Sequence, residues 1–74
     1  MDILTYRKEK GLSQAAFAAL LTENGSPATQ GLVSRWEGGD TIPAERAVEI
    51  ERVTGGDVSR SELRPDLWPA DQAA

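Results

Sequence analysis

Thr29-Gln30-Gly31-Leu32-Val33-Ser34-Arg35-Trp36-Glu37 is the stretch on which the reading of this chain turns. Thr29 is an N-cap residue type, because its hydroxyl can accept from the first helical amides, which have no carbonyl partner of their own. A helix begun there puts Val33 and Trp36, three residues apart, on one face and turns Gln30, Ser34 and Arg35 towards the other. One face packs and the other is free to bind. The forked amide of Gln30 and the guanidinium of Arg35 suit the major-groove edges of adenine and guanine respectively. Ser13-Gln14 upstream repeats the cap-then-glutamine pattern. A short amphipathic helix with ordinary polar surface residues fits the same nine residues, so both readings stand at this point.

The rest of the chain reads as helical. Asp2 or a neighbour starts a first helix through about Lys10, with Gly11 suited to the left-handed position that ends it. Ser13 caps a second helix from Gln14 to about Leu21 or Glu23, with Phe17, Leu20 and Leu21 as its apolar stripe. Asn24-Gly25-Ser26-Pro27 breaks it. The third helix runs from Gln30 to about Glu37 and stops at Gly38-Gly39. Pro43 is expected as the first residue of a fourth helix that continues through Ala47, Ile50 and Val53 to Gly55-Gly56. Ser59 or Ser61 caps one further turn before Pro65. Leu67 and Trp68 are expected to order the segment Pro65 to Pro69, and Ala70 to Ala74 to fray. No alternating pattern long enough for a strand occurs. The expected organisation is one all-α domain over residues 1–69 with a short tail over 70–74.

Composition narrows the function. Seventy-four residues suffice for one small core. Without cysteine or histidine the chain lacks disulfides, the usual zinc ligands, and thiol or imidazole chemistry. No nucleophile sits with a base, and Glu49 and Glu51, two apart on a helix, diverge, so an enzyme is not expected. Neither a cofactor nor a small-molecule ligand is indicated. No apolar run approaches the roughly 18 residues of a membrane span and no signal peptide is visible, which fits a cytoplasmic protein without a membrane partner. The net charge of −4 opposes a simple nucleic-acid binder. Its distribution is uneven, however: residues 1–36 balance to +1 and residues 37–74 to −5. That fits a domain with one face towards DNA and an acidic half turned away. It equally fits an acidic module that binds another regulator or a basic partner.

Ser13-Gln14 and Ala18, followed by Thr29-Gln30, Val33-Ser34-Arg35-Trp36-Glu37 and Gly38, resemble the Cro/CI-type (xenobiotic-response-element) helix-turn-helix regulators over roughly residues 3 to 55. The run PAERAVEIERVTGGDVSRSELRPDLWP is more narrowly similar to the YdaS-like phage Cro-type repressors of bacteria, and extends the resemblance to nearly the whole chain. The resemblance implies a compact four- to five-helix, lambda-repressor-like DNA-binding domain. It implies a homodimer, possibly one formed on DNA, acting on a double-stranded operator with two-fold symmetry.

Residue by residue, the resemblance implies that Gln14 approaches a phosphate, Gln30 a base such as adenine, and Arg35 a guanine or a nearby phosphate. Thr29 and Ser34 are implied as backbone contacts. Gly31 stands where related sequences carry a long polar residue. Arg46 reaches a phosphate or pairs within its helix with Glu49. Arg7 and Glu37 match positions that form an ion pair in similar domains, and Trp36 is expected in the core. Trp68 folds back on its own core or enters a second subunit, where Leu67 and Trp68 are the candidate contact. The spacing departs from the family: sixteen positions separate Ser13 from Thr29, more than usual, and Thr22 to Ala28 replace a tight glycine turn. A longer second helix or a protruding loop accommodates them, at small cost in closure entropy. The loop itself offers Asn24 and Ser26 to a DNA backbone.

Overall fold

Asp2 begins the first helix by accepting the Thr5 amide at 2.8 Å, and Gly11 ends it at φ 68° in the left-handed region. Ser13, Thr29 and Ser59 start three further helices in the same way, each hydroxyl accepting the amide three residues on. The computed structural model describes residues 1–69 and arranges them as α1 (Ile3–Lys10), α2 (Gln14–Glu23), α3 (Gln30–Glu37), α4 (Ala44–Val53) and α5 (Arg60–Leu63). No strand occurs among the described residues. The fold is all-α, and the expected tail over 70–74 lies outside the described residues.

Two boundaries differ from the sequence reading. Pro43 is the cap of α4 and not its first helical residue: its ψ of 148° is extended, so the helix starts at Ala44. Proline's fixed φ suits either place, and only ψ separates them. Of the two candidate caps for α5, Ser59 serves and Ser61 is buried beside it.

The core is assembled from one face of each long helix. Phe17 and Leu21 of α2, Val33 of α3, Ile50 of α4 and Val58 are fully buried. Tyr6 of α1 meets Phe17 edge-on, with ring centroids 5.9 Å apart. Trp36 is buried at 6 % exposure, so it belongs to the core as its spacing from Val33 requires. Thr54 closes the turn between α4 and α5, donating to the Ile50 carbonyl and accepting the Val58 amide.

The long turn between α2 and α3 is a braced loop. α2 extends to Glu23, and the Thr22 hydroxyl accepts the Ala28 amide at 3.0 Å, so the loop closes on its own origin. Ser26 is 4 % exposed and accepts from Arg46 at 2.9 Å. The Asn24 side chain donates back to the Leu20 carbonyl, and Arg52 donates to the Asn24 carbonyl. Of the two side chains expected to face a DNA backbone, Ser26 is therefore turned inward, whereas Asn24 is exposed and spends one N–H on its own helix. Trp68 packs against the chain's own core, with the Arg60 guanidinium 5.4 Å from its ring centre, whereas Leu67 is 45 % exposed.

Trp36→Ala removes the largest side chain joining α3 to the core together with the surface over which Arg46 lies at 5.8 Å. Large aromatic truncations cost about 3–5 kcal/mol. In a domain this small the expected outcome is loss of the cooperative thermal transition followed by circular dichroism; a variant melting like the parent would place Trp36 outside the core.

Candidate nucleic-acid interface

The candidate site grows from one carboxylate. Glu37, the last residue of α3, receives Arg7 Nε at 2.6 Å and Arg7 Nη2 at 2.9 Å, a two-pronged ion pair that ties α1 to the end of α3. The third nitrogen of the same guanidinium donates to the Leu12 carbonyl, fixing the link between α1 and α2. Glu37 Oε1 also accepts Gln14 Nε2 at 3.0 Å. With its amide nitrogen thus held, Gln14 turns its oxygen to Gln30, whose Nε2 donates to it at 2.6 Å. The first residue of α2 and the first residue of α3 are therefore joined, and the join is anchored on the half-buried ion pair.

This relay orients Gln30. One of its two N–H bonds is directed at Gln14, leaving a second N–H and the side-chain oxygen for another partner. Gln30 is exposed, as are Thr29, Gly31, Ser34 and Arg35 along the same helix. Thr29 spends its hydroxyl on the Leu32 amide at 3.2 Å. Gly31 leaves open space: a Cβ placed there meets no atom nearer than the Thr29 hydroxyl at 4.0 Å. Arg35 has no carboxylate within ion-pair distance among the described residues.

The structure thus brings Gln14 and Gln30 into contact and leaves Gly31, Ser34 and Arg35 outward on the same helix. Arg46 is not gathered with them. Its guanidinium is turned to the Ser26 hydroxyl and the Trp36 ring, and Glu49, its alternative partner, pairs with Arg52. The Gln14–Gln30 contact was not anticipated from sequence. Sixteen positions separate the two residues, and no local periodicity signals such a contact.

The Arg7 hydrogen bonds hold the Glu37 carboxyl below its ordinary value of 4.5, against the opposing effect of burial and with further help from Gln14. A carboxylate whose folded pKa lies below its unfolded pKa contributes stability above the unfolded value and loses it as pH falls through the folded one. Glu51, held down by the Arg60 amide and side chain, acts in the same direction. Unfolding stability should therefore fall as pH drops below about 4.5. Glu37→Gln removes its share of that dependence, so urea titrations across the acid range should show a shallower decline than in the parent. Equal pH slopes would mean that Glu37 titrates alike in both states.

No curated protein and no solved structure matches the chain. A family model described as bacterial toxin YdaS matches residues 11–71, which takes in α2 to α5 and leaves α1 with Arg7 outside the match. The chain belongs to the bacterial toxin YdaS family.

Proposed function

We propose that this chain is a sequence-specific transcriptional regulator of phage or prophage type, a Cro-type or antitoxin-like repressor and not an enzyme, that binds double-stranded DNA through α3. The Gln14–Gln30 hydrogen bond carries the reading. It presents the donor and acceptor of Gln30 from the exposed start of α3, and adenine offers the complementary pair at N7 and N6 in the major groove. Arg35, exposed on the same helix, supplies the guanine or phosphate contact. Gln14 serves as the support of Gln30, and it is the unpaired amides at the start of α2 that are offered to the phosphates. Membership of the toxin family supports a phage-type or toxin–antitoxin-like setting for such a regulator.

A protein surface on which the free guanidinium is that of Arg35 reads few bases, so one subunit discriminates poorly. A homodimer on an inverted repeat roughly doubles the contacts, and two-fold symmetry in the operator mirrors that of the protein. Leu67 is the proposed subunit contact, with Trp68 backing it from within the fold. The dimer can form on the DNA itself.

Selection from a random duplex pool provides an operator on which to test this. Arg35→Ala should lose specific binding, by about 1–3 kcal/mol of base discrimination, while its thermal melt stays that of the parent. Undiminished operator affinity would remove α3 from the role of reader.

Assembly is read from titration followed by native mass spectrometry. Two chains should saturate one inverted repeat whose half-sites lie about 34 Å apart. Saturation at one chain per full site would be incompatible with the dimer.

A further inference from the structure

Away from the Gln14–Gln30 contact, the start of α1, the loop after α3 and α5 enclose an open groove of about 310 Å³. Its accessible apolar surface is that of Leu4 and Leu63, with the buried Ile3, Ile42 and Trp36 beneath them. Leu4 is 41 % exposed although it lies on the same helix as the buried Ile3 and Tyr6. Four carboxylates line the groove, those of Asp2, Glu37, Asp40 and Glu62, and the lining contains no lysine or arginine. Three are already engaged. Asp2 caps α1, Glu37 holds Arg7 and Gln14, and Glu62 receives the chain's own ammonium group. Asp40 is exposed, and its side chain has no hydrogen-bond partner among the described residues.

We propose that this groove is a docking site for a basic peptide segment of a partner protein, its apolar side chain laid on Leu4 and Leu63 and its cation held by Asp40. The charge of the lining selects the occupant. A nucleic-acid backbone would bring phosphate against carboxylates and is repelled. A neutral apolar peptide leaves Asp40 without a counterion, whereas an arginine supplies a planar fork matched to a carboxylate. The groove volume, at the lower end of that of ligand pockets, suits one or two side chains of an extended segment. The site is independent of the DNA reading: a regulator that binds DNA and one that does not can both carry it.

The test is titration of the isotope-labelled chain with acetyl-Leu-Arg-Leu-Arg-amide, followed by two-dimensional NMR, with acetyl-Leu-Glu-Leu-Glu-amide as the charge-reversed control. The expected result is a saturable shift of the Leu4, Gly39, Asp40 and Leu63 amides with the arginine peptide alone, while Glu45 and Glu49 on α4 stay in place. Asp40→Lys and Leu4→Ser, both at exposed positions, should each weaken binding about tenfold, and the dispersion of the same spectra reports whether each variant folds. Absence of a saturable shift would overturn the proposal, as would equal movement at Glu45 and Glu49 or equal binding of the glutamate peptide. It would also be overturned if the groove signals responded to the concentration of the chain alone, since that would give the face to a second copy.

Discussion

The carboxylate of Glu37 is the point on which three helices depend. It ends α3, receives two nitrogens of Arg7 from α1 and receives the amide of Gln14 from α2. Taking such a pair out of water costs several kcal/mol per ion, and the loss is offset only where geometry is good and the remaining hydrogen-bonding capacity is filled. Here the Arg7 and Glu37 side chains are 13 % and 12 % exposed, and Arg7 adds the Leu12 carbonyl to its partners. A pair so placed is weak evidence of net stabilisation. Its stronger effect is on arrangement, because leaving either charge alone is far costlier than keeping both. It fixes where α1 sits against α3, and through Gln14 it fixes the face from which Gln30 projects.

A second constraint substitutes for the tight turn that the chain lacks. Between α2 and α3 the backbone has six residues, 24–29, with which to wander, yet side chains of α4 and of α2 itself hold them. Arg46 takes the Ser26 hydroxyl, Arg52 takes the Asn24 carbonyl, and Thr22, donating to the Ala18 carbonyl, accepts the Ala28 amide. A longer loop costs little extra closure entropy, but an unbraced one would let α3 shift against α2. The brace explains why Arg46 and Arg52 of α4 both lie towards this loop.

Much of this was legible in the sequence, and the legible part has a common cause. Caps and breakers act over three or four residues, so Ser13, Thr29, Gly11 and Gly38-Gly39 marked the helices within a residue or so. Val33 and Trp36 showed the inward face of α3 for the same reason. Pro43 was misplaced by one residue, because proline's φ suits both cap and first helical turn and its ψ is set by what precedes the helix. The partners of Arg46 and Asn24, and the contact between Gln14 and Gln30, are tertiary. They depend on how the longer loop folds back, which no local pattern encodes. Trp68 fell between two readings until Arg60, itself held by Glu51, was seen to lie over its ring.

The same bookkeeping of partners bears on how an acidic chain could approach DNA. The four arginines beyond residue 36 are all engaged within the fold: Arg46 with Ser26, Arg52 with Glu49, Arg60 with Glu51, and Arg64 with Asp66 and the Ile42 carbonyl. Arg52, Arg60 and Arg64 are each matched by a near carboxylate, whereas Arg46 keeps its charge half-buried between the Ser26 hydroxyl and the Trp36 ring. Lys8, Lys10 and Arg35, all in the first half, are exposed and have no carboxylate within ion-pair distance among the described residues. Cations without a carboxylate partner are exposed on α1 and α3, although Glu9 stands between the two lysines of α1, and further exposed acids without an ion-pair partner among the described residues include Glu23, Asp40, Glu45 and Asp57. Exposed charges farther apart than a Debye length of about 8 Å hardly feel one another at physiological salt, so the distribution of charge outweighs the total of −4. What a charged partner meets at α3 is therefore set by its near neighbours there, where Arg35 is exposed on the helix from which Gln30 projects, and not by the total.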